Sequence, residues 1–256
     1  MFEWDSELYV RFLKERTQPA IDLANKIYID NPKSIIDIGC GPGNSTRILK
    51  ERFPDAYIIG ADNSPEMIDK ARKDNPDIEF IVFDANKDYE KLDGKFDIVF
   101  SNACIQWLPD HANILRNMMS LLNDGGILAV QTPMNYSEPI HVIITELAYS
   151  KKWRDKFENP RVFFNMTQSE YFDVLSEISS DFSIWETIYC HRMPSHESIL
   201  DWYKGTGLRP YLSALSPSDA KQFEAEVFDG VIRDYPKQKD GEIIFRFPRF
   251  FFTAVK

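Results

Sequence analysis

Short runs of β-branched and aromatic residues alternate with amphipathic stretches through the first half of the chain. Strand-like runs fall at 34–38, 57–62, 79–84, 96–101 and 126–132, with helical patterns between them at 44–52, 65–73 and 113–122. Strands separated by helices predict a parallel sheet with crossover helices on its faces. Pro65 suits the first turn of its helix, and Ser64 just ahead of it suits the cap. The run Asn123-Asp124-Gly125-Gly126 reads as a turn launching the fifth strand.

Ahead of the first strand, residues 6–28 predict an amphipathic helix whose apolar positions are Leu8, Phe12, Ile21, Leu23, Ala24 and Ile27. Pro19 should kink or restart it. Beyond Thr132 the pattern changes. Residues 135–180 look helical and aromatic-rich, 182–191 like a strand, 195–206 and 216–235 like helices, and 242–255 like a final strand. The expected architecture is α/β: a Rossmann-like, mostly parallel sheet completed by two late strands, with helical insertions forming a lid. It is expected as a single domain over 1–256, with a cap helix in 1–33, a ligand-binding half in 34–132 and a substrate and lid half in 133–256.

Composition narrows the picture. The chain has 256 residues, 43% of them hydrophobic, enough for a substantial core. No run approaches the roughly 20 apolar residues that span a bilayer. The opening MFEWDSELYVRFLKER is too charged for a secretory signal, so a cytoplasmic protein without a membrane partner is expected. Cys40, Cys104 and Cys190 are far apart and form no CxxC pair, which disfavours structural zinc and a disulfide framework. The net charge of −10 repels phosphate backbones, so no nucleic-acid partner is expected. A small anionic ligand would need local basic side chains to overcome that field.

The most informative segment is Asp37-Ile38-Gly39-Cys40-Gly41-Pro42-Gly43-Asn44, between the first strand and the first crossover helix. Glycines at alternate positions let the backbone bend sharply and approach a ligand where a Cβ would collide. Ligands of open α/β sheets bind beyond the carboxyl ends of the strands, where this loop lies. A dinucleotide fingerprint would read GxGxxG; here the sixth position is Asn44, so the run is GxGxG. The acid at Asp37 suits a cationic ammonium better than a pyrophosphate.

Asp62 ends the second strand and is expected to accept hydrogen bonds from ribose hydroxyls, with Asn63 beside it. Asp84, followed by Ala85, ends the third strand and could meet an adenine amino group. Asn102 follows the fourth strand and could contact an amino-acid moiety. Each has a plainer alternative. Gly39 and Gly41 could serve a tight turn, Asp62 and Asp84 could cap helices, and Met67 could be core rather than pocket wall. Trp107 could be packing. The aromatics Phe163, Phe164, Trp185, Trp202 and the 245–252 run could line a pocket, but they read better as core.

DIGCGPGNST at 37–46, GADNSPEM at 60–67, FDA at 83–85 and SNACIQWLPD at 101–110 resemble the class I S-adenosylmethionine-dependent methyltransferases over residues 34–132. The resemblance implies a seven-stranded sheet with an antiparallel last strand. It implies S-adenosyl-L-methionine as cofactor and S-adenosyl-L-homocysteine as product. WDSELYVRFLKERTQPAIDLANKI, IQWLPDH and ILDWYKGTGLRPYL are similar to the trans-aconitate 2-methyltransferase family, over nearly the whole chain. That implies monomethyl esterification of a small polycarboxylate such as trans-aconitate, by a monomer or a homodimer.

A carboxylate with a pKa of roughly 4 is already a nucleophile at neutral pH and needs no general base. No catalytic residue and no metal are expected; the rate should come from in-line placement in a water-excluding site. The substrate's other carboxylates need donors. Arg16 and Arg209 are the first candidates, because a guanidinium fork matches a carboxylate. Tyr9, Tyr211, His141, Trp4 and Arg161 follow, with Gln106 and Trp107 facing the methyl group. For a lone surface arginine the plain alternative is a solvated side chain. Rival readings are methylation of another small-molecule or carrier-bound acceptor at oxygen or nitrogen, a non-catalytic cofactor sensor, and a nicotinamide dehydrogenase.

Overall fold

The computed structural model describes residues 13–92, 94–157 and 163–256, and only the backbone of 13–16. In chain order the elements are α1 (Leu13–Asn25), β1 (Ser34–Ile38), α2 (Asn44–Arg52), β2 (Tyr57–Asp62), α3 (Pro65–Asp74), β3 (Glu79–Val82) and β4 (Phe96–Asn102). There follow α4 (His111–Ser120), β5 (Leu122–Pro133), α5 (Pro139–Tyr149), α6 (Gln168–Ile178) and β6 (Phe182–Met193). The last elements are α7 (His196–Lys204), α8 (Arg209–Ala214), α9 (Pro217–Asp234) and β7 (Ile243–Val255).

The strands form a seven-stranded sheet in the order β3-β2-β1-β4-β5-β7-β6. β1 pairs in parallel with β2 and β4, β2 with β3, and β4 with β5, whereas β7 runs antiparallel to β5. The expected mostly parallel sheet with an antiparallel closing strand is therefore present. Ile35, Ile36, Ile98, Val99, Phe100 and Leu128–Val130 are buried because helices cover both faces, the condition under which strands read as continuous apolar runs.

Several boundaries differ from the expectation. The 123–126 run does not precede β5 but lies inside it. Phe96 pairs with Leu122 and Ile98 with Ile127, so the extra residues are absorbed as a bulge with Gly125 at φ 75°. The third crossover helix, α4, starts at His111 rather than 113, because the Asp110 side chain accepts from Asn113 N–H at 3.3 Å. β3 ends at Val82, two residues before Asp84. α1 runs through Pro19 without interruption and buries Ala20, Leu23 and Ala24, while positions 6–12 of the expected helix, Leu8 and Phe12 among them, lie outside the described residues. Ser64 caps α3 as expected, accepting from Met67 N–H at 3.3 Å.

The residues gather into two compact units. One takes in 17–133, 163–187 and 249–256, and so holds β1 to β5 and the second half of β7. The other takes in 13–16, 134–157 and 188–248 among the described residues. It has an apolar core of its own, in which Trp153, Phe157, Tyr211 and Phe223 pack edge-on or stacked and Trp202, Tyr203 and Phe245 adjoin one another. Most of the late aromatics are thus core. Trp185 stacks on Phe251 in the first unit at an interplanar angle of 8°, while Phe164 is exposed.

Candidate active site

The carboxyl ends of β1, β2 and β4 bring together Asp37, the glycine loop, Asp62 and Asn102. β1 is apolar up to Asp37, which is fully buried. Its Oδ2 accepts from Ser45 Oγ at 2.6 Å and Thr46 Oγ1 at 2.7 Å, both in the first turn of α2. Its Oδ1 is buried without a hydrogen-bond partner. Burial pushes the Asp37 carboxyl up to about 6, against the opposing pull of the two hydroxyl donors and with help from the nearby Asp62 charge. Ser45 and Thr46 come just after Asn44, within one helical turn of Gly43, and the only signal in the sequence for their role is their closeness to Asp37.

The loop's own amides are committed internally. Gly39 and Cys40 N–H donate to Ala61 O at 2.7 and 3.1 Å, Gly41 N–H to Asp62 Oδ2 at 3.0 Å, and Gly43 N–H to Cys40 O at 3.0 Å. Pro42 has no N–H to offer. A pyrophosphate would need such amides as donors. What faces outward here is acceptor-rich, which suits a ligand that donates.

The three glycines do different work. A Cβ on Gly39 would stand 2.1 Å from Cys104 Sγ, and one on Gly43 would stand 2.8 Å from Asn75 Nδ2. Gly41, at φ +54°, has nothing within 4 Å of where its Cβ would be. Gly39 and Gly43 are therefore packing glycines, and Gly41 is the one that leaves room beside the loop.

Asp62 ties the loop to its strand. One oxygen takes Gly41 N–H and the other takes Ser64 N–H at 2.9 Å. Each carboxylate oxygen keeps acceptor capacity after one bond. The helix cap belongs to Ser64, not Asp62. Asn63 is exposed and Met67 half-buried outside the core. Asp84 serves a local turn: its Oδ1 accepts from Asn86 N–H at 3.0 Å and Asn86 Nδ2 at 2.9 Å, which with Lys87 holds its carboxyl below the usual range. Ala85 is buried. Asn102, last in β4, has an Oδ1 that is buried and unpartnered.

After β4 the chain turns through 105–107. Gln106 is buried, with Nε2 donating to Ala103 O at 2.6 Å, and its main-chain carbonyl accepts from Phe164 N–H at 3.0 Å. Trp107 is 41% exposed and tilts against Phe163 at 4.9 Å. In the other unit Arg209 opens α8 and is exposed, Tyr211 packs between Phe157 and Phe223, and His141 Nε2 lies 2.8 Å from Tyr203 Oη. Tyr9, Trp4 and Arg161 lie outside the described residues, as does the Arg16 side chain. Among the described residues no cluster of His, Cys, Asp and Glu is gathered to hold a metal, and no helix is long and apolar enough to cross a membrane.

Comparison with known proteins bears on the family and the fold. The profile of the family described as "Methyltransferase domain" matches residues 29–196. A trans-aconitate 2-methyltransferase of Escherichia coli O7:K1 is 41% identical over 254 residues, covering 99% of this chain and 98% of that one. A protein of the same name from Shigella flexneri is 40% identical over the same coverage. Among solved structures, a putative methyltransferase from Bacillus halodurans C-125 superposes with a TM-score of 0.58 at 14% identity, covering 93% of this chain and 99% of that one. A Haemonchus contortus phosphoethanolamine N-methyltransferase, solved with phosphomonomethylethanolamine and S-adenosylhomocysteine, gives a TM-score of 0.56 at 17% identity, covering 94% and 53%. These two likenesses bear on the fold alone. With a profile match across most of its sheet and relatives 41% identical from end to end, the chain belongs to the methyltransferase-domain family, in company with the trans-aconitate 2-methyltransferases.

Proposed function

We propose that this protein transfers a methyl group from S-adenosylmethionine to one carboxylate of trans-aconitate, giving a monomethyl ester and S-adenosylhomocysteine. The observation that carries the reading is the 41% identity to a trans-aconitate 2-methyltransferase over 99% of the chain.

The residues present fit the cofactor. The buried, unpartnered Asp37 Oδ1 and Asn102 Oδ1 are acceptors suited to the ammonium of an amino-acid moiety. Asp62 keeps lone pairs for ribose hydroxyls, and the space beside Gly41 admits a ligand close to the backbone. Asn63, Met67, Asp84 and Ala85 are proposed to flank the nucleoside. When bound, the cofactor supplies a methyl group made electrophilic by its sulfonium.

The chain's own part is positioning. The acceptor carboxylate is ionised at neutral pH, so no residue has to remove a proton from it. Holding oxygen and carbon in line and excluding water supplies the acceleration. Arg209, Arg16, Tyr9, Tyr211 and His141 are proposed to grip the carboxylates that are not esterified, with Gln106 and Trp107 near the reacting one. With a net charge of −10 the chain is proposed to serve a small metabolite in the cytosol, not a nucleic acid or a membrane.

The test is incubation with methyl-labelled S-adenosylmethionine and a panel of di- and tricarboxylates. The expected product releases labelled methanol in mild alkali, with trans-aconitate the best acceptor. Label stable to alkali, or none on any carboxylate, would overturn the reading.

A further inference from the structure

Residues paired across neighbouring strands share a face of the sheet, as do residues two apart on one strand. Asn102 of β4 pairs with Gln131 of β5, and Gln131 pairs with Phe251 of β7. Pro133, two residues beyond Gln131, pairs with Arg249, two residues before Phe251. Asn102, Gln131 and Arg249 therefore form a polar row on one face, at the carboxyl ends of β4 and β5. On the opposite face at this level Tyr171 packs against Phe250 and Phe252, and the one buried polar side chain of β5 there, Thr132, is satisfied by Asn165 Nδ2 at 2.9 Å.

The row is out of place in a hydrophobic layer. Gln131 is fully buried, yet neither its Oε1 nor its Nε2 has a hydrogen-bond partner. An apolar side chain of similar volume would fill the position without that cost. Arg249 is the one buried Lys or Arg among the described residues of this acidic chain. A guanidinium carries five N–H donors in a planar fork, and a carboxamide adds two more. Such a donor set, beside Asn102 at the ligand-binding edge, matches a planar anion.

We propose that Gln131 and Arg249 form the subsite for a carboxylate of the acceptor that is not methylated, and so help to select a polycarboxylate over a monocarboxylate. The inference rests on the carboxyl methyltransferase reading and adds to it two binding residues that no local motif marks.

The test compares wild-type protein with Gln131→Met, Arg249→Lys and Arg249→Met, measuring kinetics with trans-aconitate, cofactor affinity by calorimetry and stability by urea denaturation. Loss of a hydrogen bond to a charged partner corresponds to about 10- to 100-fold in affinity, so KM for trans-aconitate should rise by that factor in each variant. The cofactor Kd should hold within about twofold, and turnover of a monocarboxylic alkenoate should not change. Gln131→Met should be at least as resistant to urea as wild type, because it removes a buried unsatisfied amide; a purely structural glutamine would be missed. That variant also keeps the test open should Arg249→Met fail to fold. A wild-type enzyme that esterifies trans-aconitate with a KM left within twofold by Gln131→Met and Arg249→Lys overturns this inference alone. A wild-type enzyme that esterifies no polycarboxylate overturns the functional reading and this inference with it.

Discussion

The hydroxyl of Tyr171 lies 2.6 Å from Nδ1 of His111, both residues buried, while Nε2 of the same ring lies 2.8 Å from the carbonyl oxygen of Ile105. The carbonyl can only accept, so Nε2 carries the proton and Nδ1 accepts from Tyr171. Burial lowers the His111 pKa, which keeps the ring neutral and this pattern intact. The pair ties α6 and α4 to the turn that carries Gln106 and Trp107. Replacing Tyr171 by Phe should leave a buried nitrogen without its donor and cost about 1–3 kcal/mol of stability. Urea denaturation at neutral pH reads the loss. A change within about 0.5 kcal/mol, the range usual for surface substitutions, would mean that the hydroxyl holds nothing in place.

Gly39 and Gly41 should respond differently to the same added methyl. Gly39→Ala drives a Cβ into Cys104, so the protein should be strongly destabilised or fail to accumulate. Gly41→Ala meets no protein atom and should cost only about 1–2 kcal/mol of left-handed backbone strain. Its cofactor affinity should nevertheless fall at least tenfold, since the methyl occupies the ligand's space. Calorimetry on folded Gly41→Ala with unaltered affinity would remove this loop as the cradle.

The raised pKa of Asp37 gives a pH dependence with a definite sign. The folded carboxyl holds its proton up to about 6, against an ordinary value of 3.8. Its contribution to stability is thus greatest below 3.8 and is lost as pH rises through 6, by up to about 3 kcal/mol from a shift of this size. Asp37→Asn should therefore gain stability relative to wild type between pH 4 and 7. Cofactor binding should move the other way. It should tighten in the wild type as pH rises through 6 and the carboxylate forms, and it should be weaker and flatter with pH in the variant. A wild-type affinity flat from pH 5 to 7.5 would take the charge of Asp37 out of cofactor binding.

Arg209 is exposed at the start of α8 and is the strongest candidate grip in its unit. Arg209→Ala should raise KM for the polycarboxylate about 10- to 100-fold, the range for a lost charged hydrogen bond, with little effect on stability or cofactor Kd. Steady-state kinetics with trans-aconitate checks this. An unchanged KM would return Arg209 to the class of solvated surface arginines.

Much of the architecture was legible because its causes are local. The β/α alternation, the bounds of β1, β2 and α2, the Ser64 cap and the bend at Gly39–Gly41–Gly43 follow from periodicity and turn chemistry over a few residues. Asp37 and Asp62 were visible as acids at strand ends, though not that Asp62 would take the Gly41 amide. Other features depend on which segments meet. The 123–126 run became a bulge because β4 supplies its partners, and the final aromatic strand gained buried faces by lying between β5 and β6. Asn102, Gln131 and Arg249 share a face only through pairings between distant segments, and His111 meets Tyr171 only once α4 and α6 are packed. Propensity and spacing act along the chain, whereas strand register and helix packing are settled by burial across it. The glycine bend was therefore written in the sequence, and the polar row came only with the sheet.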